Sequence, residues 1–129
     1  MIVVGAAIVR DGRVLAAQRA HPPALAGWWE LPGGKVEQGE DERAALVREC
    51  REELHLDLAL GARVGPDLPI GASGTLRVWA AYAGNGAEPV AREHAALRWV
   101  GPDELDGLRW LPADRPLLPF LRALLATAV

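Results

Sequence analysis

The chain has 129 residues, of which 50% are hydrophobic and 24% charged, with a net charge of −3 and one cysteine. That length suits one domain with a single substantial core, and a weakly acidic balance without a basic run argues against a nucleic-acid polymer as partner. A lone cysteine excludes an intrachain disulfide, and the apolar start MIVVGAAIV is too short to span a bilayer and lacks the basic lead of a signal peptide, so a cytoplasmic protein without a membrane partner is expected.

Residues 2 to 10 and 13 to 20 are β-rich runs joined by Asp11-Gly12, a two-residue hairpin signal. Residues 21 to 33 hold His21-Pro22-Pro23, Gly27 and the Trp28-Trp29 pair and run into Pro32-Gly33-Gly34, which predicts an irregular stretch lying over a site. A helix follows, with Asp41 as its N-cap and Leu46, Cys50 and Leu54, beside Val47, as its apolar stripe. Residues 58 to 65 and 75 to 83 read as strands, the second alternating Leu76, Val78, Ala80 and Tyr82 against Thr75, Arg77, Trp79 and Ala81 before Gly84-Asn85-Gly86 turns it. Another strand spans 95 to 100, a helical turn Pro102 to Leu105, and a last helix Pro116 to Ala126, with Leu117, Leu118, Leu121, Leu124 and Leu125 on its apolar side. Strands interrupted by two separated helices predict a mixed sheet covered by helices.

The middle helix carries the chemistry. Glu49, Glu52 and Glu53, at i, i+3 and i+4, fall within an arc of about 100°. Like charges at that spacing cost an isolated helix about 0.2–0.5 kcal/mol per pair, so the set calls for a compensating cation. Carboxylate oxygens select hard ions, and Mg2+ is held by a few carboxylates together with substrate phosphates. A phosphate substrate is thereby implied. Gly33 and Gly34 let the backbone turn tightly before the helix, Lys35 adds one positive charge, and Arg48 can orient a carboxylate through its fork of donors.

The stretch from Gly34 to Leu56, GKVEQGEDERAALVRECREELHL, resembles the signature of the Nudix hydrolases: a glycine, a glutamate six residues on, then R-E-U-x-E-E-x-G-U with U aliphatic. Gly34, Glu40 and Arg48-Glu49-Cys50-Arg51-Glu52-Glu53 occupy those positions. Cys50 replaces an aliphatic residue, a mild change for a buried thiol. His55 stands where the signature has glycine, at a left-handed helix end that histidine tolerates at a cost on the order of 1 kcal/mol. The likeness continues in Gln18-Arg19, in Trp29-Glu30-Leu31-Pro32-Gly33-Gly34, in Glu93-His94 six residues before Trp99, and in Trp110-Leu111-Pro112-Ala113-Asp114. These look like the MutT-type branch, which includes 8-oxo-dGTP diphosphatases and CTP pyrophosphohydrolases.

The resemblance implies an α/β (α+β) fold, an α/β/α sandwich with a mixed central sheet, formed by one Nudix domain over residues 1–129 with its box at 34–56. It implies Mg-dependent hydrolysis of a nucleoside triphosphate to monophosphate and pyrophosphate, with Mn2+ as a substitute ion. An oxidised guanine nucleotide such as 8-oxo-dGTP, cleared from the nucleotide pool in the service of DNA repair, is the first expected substrate; CTP, dCTP or a modified cytidine triphosphate is the alternative. Glu49, Glu52 and Glu53 are expected at the metals, with the Gly34 carbonyl and Glu93 as further ligands. Glu93 also stands as a candidate base, and Arg48 belongs to the catalytic set. Glu40 is expected to brace loop and helix, and Arg19 and Lys35 to meet the phosphates. Asp114 is a candidate reader of the base, its plainer reading being a helix N-cap. Trp28, Trp79 and Trp110 are candidates for stacking on the base, although tryptophans more often pack in cores. A nucleotide sensor that does not cleave would be free to lose an acid of the signature, and all are present. A sugar-nucleotide or dinucleoside-polyphosphate hydrolase is disfavoured by the compact length. No partner chain is implied, and a monomer is expected.

Overall fold

The structure is a computed structural model that describes residues 1–127. The chain runs β1 (Ile2–Arg10), β2 (Arg13–Arg19), β3 (Trp29–Glu30), β4 (Gly33–Lys35), α1 (Glu42–Leu54), β5 (Leu58–Arg63), β6 (Leu68–Ile70), β7 (Gly74–Ala83), β8 (His94–Val100) and α2 (Leu118–Thr127), with 3-10 turns at Pro102–Gly107 and Arg115–Leu117. The last two residues of the expected domain lie outside the described residues. The first hairpin turns at Asp11 and Gly12, both at positive φ (52° and 73°), the backbone a two-residue turn between twisted strands requires.

The strands form one mixed sheet, ordered β3-β2-β1-β7-β5, with β4 paired to β1, β6 to β7 and β8 to β2. Among the strands of the described residues only β1 and β7 pair in parallel, from Ile2↔Thr75 to Ile8↔Ala81. Both faces of this central pair are covered, so the alternation along β7 separates two cores rather than core from solvent. Leu76, Val78 and Ala80 pack with Leu117, Leu118, Leu121 and Leu125 of the C-terminal segment. Trp79 and Ala81 pack on the opposite face with Ala45, Leu46, Cys50 and Leu54 of α1. Tyr82 is exposed. The result is the sandwich of helix, mixed sheet and helix that the family resemblance implied. No helix among the described residues is long and apolar enough to cross a membrane, and the apolar start is the central strand β1.

The stretch 21 to 33 departs from expectation. Although mostly irregular, it contains β3 and the start of β4, and the Gly33–Gly5 pairing explains the glycine. Gly33 has φ 156°, and a β-carbon on it would lie 1.9 Å from the Val4 carbonyl oxygen. Only glycine lets β4 close on β1 there. The same contact sets the chain on course for α1, whose start is capped by the Asp41 carboxylate accepting from the Ala44 amide at 3.0 Å.

Candidate active site

An open cavity of about 1170 Å³ lies between the N-terminal half of β1, β4, the inner edge of α1, the start of β8 and the segment around residue 112. That is ample for a nucleotide. Its polar lining comprises His21, Glu30, Glu49, Glu53, Glu93, His94 and Asp114, with Arg19, Lys35 and Arg92 as the basic side chains.

Helix α1 supplies two of the acids. Glu49 lies against Gly34, and Glu53 is buried, leaving its Oε2 without a hydrogen-bond partner. Burial raises the Glu49 carboxyl above its ordinary value against the opposing pull of Arg48, and Glu52 and Glu93 add repulsion. Glu53 is pushed up to about 8, first by burial and then by the charges of Glu49, Glu30 and Glu93. A buried, partnerless carboxylate oxygen among like charges is a setting that a cation would neutralise. The donor set is all oxygen and anionic, which fits Mg2+ or Mn2+. Among the described residues no three His, Cys, Asp or Glu side chains converge on one point; Mg2+ completes its shell with water and phosphate oxygens, so a sparse set suffices.

Glu52 does not join Glu49 and Glu53 as the helical arc suggested. Its side chain is 58% exposed, reaches Arg48 at 3.4 Å, and is absent from the cavity lining. Arg48 explains this, because its guanidinium holds several acids at once. It grips Glu40 with Nε to Oε2 at 2.7 Å and Nη2 to Oε1 at 3.0 Å, while Nη1 reaches Glu49 Oε1 at 3.1 Å. Glu40 also accepts from the Glu37 amide at 3.1 Å, so the Arg48–Glu40 fork ties the loop before α1 to the helix. The Arg48 hydrogen bond, then the Glu37 amide, keep the Glu40 carboxyl below its ordinary value. At the other end His55 takes the left-handed conformation, φ 57° and ψ 33°, and its amide closes on the Arg51 carbonyl. Cys50 is buried and its thiol pKa is pushed up, mainly by burial, so it packs rather than reacts.

Four polar cavity residues, His21, Glu30, Arg92 and His94, were not singled out as site residues by sequence. Glu30 on β3 and His94 on β8 flank β2 from opposite edges. His94 Nε2 lies 3.0 Å from Glu30 Oε2, and the buried His94 Nδ1 has no partner. Arg19 at the end of β2 reaches Glu30 Oε1 at 3.4 Å and donates twice to the His21 carbonyl at 3.0 and 2.9 Å. The Arg19 guanidinium, expected on phosphates, is thus engaged in holding the loop and Glu30. The available signal was the acid inside Trp29-Glu30-Leu31-Pro32, a charge set between a half-buried tryptophan and a buried leucine.

Asp114 is 7% exposed, and its Oδ2 accepts from the Leu31 amide at 2.9 Å. It makes no capping bond to the turn that follows, so the N-cap reading fails. Trp29 and the segment 109–111 exchange backbone bonds, Trp29 N to Arg109 O and Leu111 N to Trp29 O, both at 2.8 Å. Asp114 takes the next free amide, that of Leu31, and burial drives its carboxyl up to about 7.

None of the tryptophans proposed to stack on a base lines the cavity. Trp110 is fully buried and donates from Nε1 to the Leu105 carbonyl at 2.7 Å. Trp79 sits on the α1 side of the sheet with Arg63 over its ring at 5.0 Å, and Trp28 is covered by Arg109 at 3.8 Å. The apolar lining is aliphatic instead, with Leu25, Leu31, Ile70, Leu76 and Leu111.

Comparison with known proteins agrees with this arrangement. The NUDIX domain family model matches residues 1–121. A Mycobacterium tuberculosis protein named "Putative 8-oxo-dGTP diphosphatase 2" is 56% identical over 117 residues, covering 88% of this chain and 82% of its own length. The CTP pyrophosphohydrolase of Escherichia coli is 43% identical over 126 residues, covering 96% of this chain and 93% of its own. The solution structure of the E. coli ORF135 protein superimposes with a TM-score of 0.81 at 40% identity, over 98% of this chain and 91% of that one.

Proposed function

This chain belongs to the NUDIX family, and from that premise we propose that it is a Mg-dependent nucleoside triphosphate pyrophosphohydrolase, converting (d)NTP and water to (d)NMP and pyrophosphate. It is a hydrolase of phosphoric anhydride bonds, as its similarity to a diphosphatase and a pyrophosphohydrolase implies. The observation that carries the finer reading is that Glu53, with its orphaned carboxylate oxygen, and Asp114, with its buried carboxyl, line one cavity. One is suited to a cation on phosphates, the other to the polar edge of a base.

Glu49 and Glu53 would hold the ion, joined by Glu93 and by Glu52 once it leaves Arg48, and the Gly34 carbonyl remains a candidate ligand. When bound, Mg2+ neutralises charge on the phosphate oxygens. Glu93, whose charge bears on both Glu49 and Glu53, takes the proton of the attacking water where it does not itself hold the ion. Lys35 meets the phosphates as a point charge. Arg48 and Glu40 act at one remove by fixing Glu49 and the loop. Asp114 accepts N–H groups of the base when ionised, and aliphatic side chains clamp the ring faces.

Guanine-type bases, including the oxidised form, offer N1–H and an amino group, while cytosine offers its N4 amino group. The 56% identical relative favours the oxidised guanine nucleotide, and the E. coli relative at 43% supports cytidine triphosphates as the second reading. Measuring kcat/KM with Mg2+ over canonical, oxidised and 5-modified triphosphates tests the choice. 8-oxo-dGTP is expected to be the best substrate. A cytidine nucleotide ahead by tenfold would replace it, and no turnover of any nucleotide would leave a sensor.

A further inference from the structure

The basic side chains of the cavity are not equally free. Arg19 is engaged by Glu30 and the His21 carbonyl. Arg92 also lines the cavity, immediately before Glu93, yet no carboxylate among the described residues lies within ion-pair distance of it. Its side chain is held instead by the His55 ring, with Nη1 2.8 Å from Nε2. A guanidinium has five N–H donors and an imidazole nitrogen accepts one, so Arg92 keeps its full charge and most of its donors.

Its placement is fixed from both sides. The Arg92 amide donates to the Glu53 carbonyl at 3.3 Å and the Val90 amide to the Leu54 carbonyl at 2.9 Å, so residues 90–92 are strapped to the end of α1. His55 leaves that helix end in the left-handed conformation, with φ 57°, and there its ring meets Arg92. A planar cation without a counter-charge, anchored beside Glu53 and Glu93, suits an oxyanion that arrives with its own metal.

We propose that Arg92 is a polyphosphate-binding residue of this cavity and that His55 is the residue that positions it. This rests on the reading of the cavity as a nucleoside triphosphate site and adds a grip that Arg19 does not supply. Arg92 donates to non-bridging phosphate oxygens of the substrate and of the pyrophosphate product, and His55 removes the rotameric freedom that an exposed arginine would otherwise lose on binding.

The test is calorimetric titration of inorganic pyrophosphate into the full chain with Mg2+, for the wild type and for Arg92→Ala, Arg92→Lys and His55→Gly, with melting temperatures alongside. Arg92→Ala is expected to weaken pyrophosphate binding by about tenfold or more, in line with the loss of a charge-assisted hydrogen bond, and Arg92→Lys to restore part of it. His55→Gly is expected to weaken binding by a smaller factor without lowering the melting temperature, because glycine adopts the left-handed conformation freely. Binding by Arg92→Ala within twofold of the wild type overturns the proposal. So does a loss that tracks a lowered melting temperature and that lysine does not rescue, which would make Arg92 a strut. A wild type that binds no pyrophosphate overturns it too, whereas a wild type that hydrolyses triphosphates with Arg92→Ala matching it in kcat/KM sinks Arg92 alone and leaves the proposed function standing.

Discussion

Gly34 and Glu49 are in such close contact that a β-carbon on Gly34 would lie 2.5 Å from the Glu49 carboxyl carbon. The glycine of β4 is thus the seat on which the α1 carboxylate rests, and the pairing Val4↔Gly34 fixes that seat to the central strand. Displacing a catalytic group by about 1 Å costs roughly a hundredfold in rate. Gly34→Ala should therefore lower kcat/KM by about that factor while the chain still folds, as read by steady-state kinetics beside circular dichroism. Wild-type kinetics in Gly34→Ala would mean that Glu49 works from another position.

Glu53 is predicted to separate stability from activity. Its carboxylate is buried among Glu30, Glu49 and Glu93, and one oxygen has no partner. In chelator at pH 8.5, Glu53→Gln should melt higher than the wild type, because a buried charge among like charges has been removed. Most of the activity should be lost. Mg2+ at about 100 times its dissociation constant should add roughly 2.7 kcal/mol to the wild type if it binds only the folded chain, and less to the variant. A wild type whose melting is indifferent to millimolar Mg2+, joined to full activity in Glu53→Gln, would remove the metal assignment.

Asp114 should make stability depend on pH. Its folded carboxyl is pushed up to about 7 by burial, against an ordinary 3.8. Between those values the folded chain binds more protons than the unfolded one, so this group's contribution declines as pH rises from about 4 and the full penalty stands above about 7. Asp114→Asn keeps an oxygen for the Leu31 amide and removes the titrating charge. Melting curves from pH 4.5 to 8.5 should show the variant gaining on the wild type as pH rises; parallel curves would place an exposed, ordinary carboxyl at 114.

The same residue carries the base assignment. Losing one good contact to a base edge costs about 1–3 kcal/mol of discrimination, so Asp114→Ala should lower kcat/KM for the preferred nucleotide by about ten- to a hundredfold and for poor substrates by less. An equal loss on every substrate would assign Asp114 to holding Leu31 alone.

What could be read from sequence was what is local. The Asp11-Gly12 turn, the Asp41 cap and the Leu46, Cys50 and Leu54 stripe of α1 depend on neighbours within a few residues and stand in the structure as expected, whereas Val47 is only half-buried and Ala45 joins the core in its place. The strands β3, β4 and β6 have two or three residues each and exist through distant partners, such as Gly33 on Gly5 and Leu68 on Leu76, which no local period reveals. The site divides the same way. The helical arc gave Glu49, Glu52 and Glu53 one face but not the pull of Arg48 on Glu52. Glu30 and His94 meet only because β3 and β8 flank β2. Trp110 had the same composition signal as a base-stacking ring and lies in the core, since nothing in a single aromatic residue says which side of a sheet it will face.

The resemblance to the MutT-type branch implies that water is directed at the β-phosphorus, so that monophosphate and pyrophosphate leave, and isotopic labelling tests this most directly. Hydrolysis of the preferred triphosphate by the wild-type chain with Mg2+ in 18O-water is predicted to give nucleoside monophosphate without label and pyrophosphate carrying one 18O, as attack at the β-phosphorus requires. Label in the monophosphate, or release of diphosphate nucleoside and orthophosphate in place of pyrophosphate, would contradict the account.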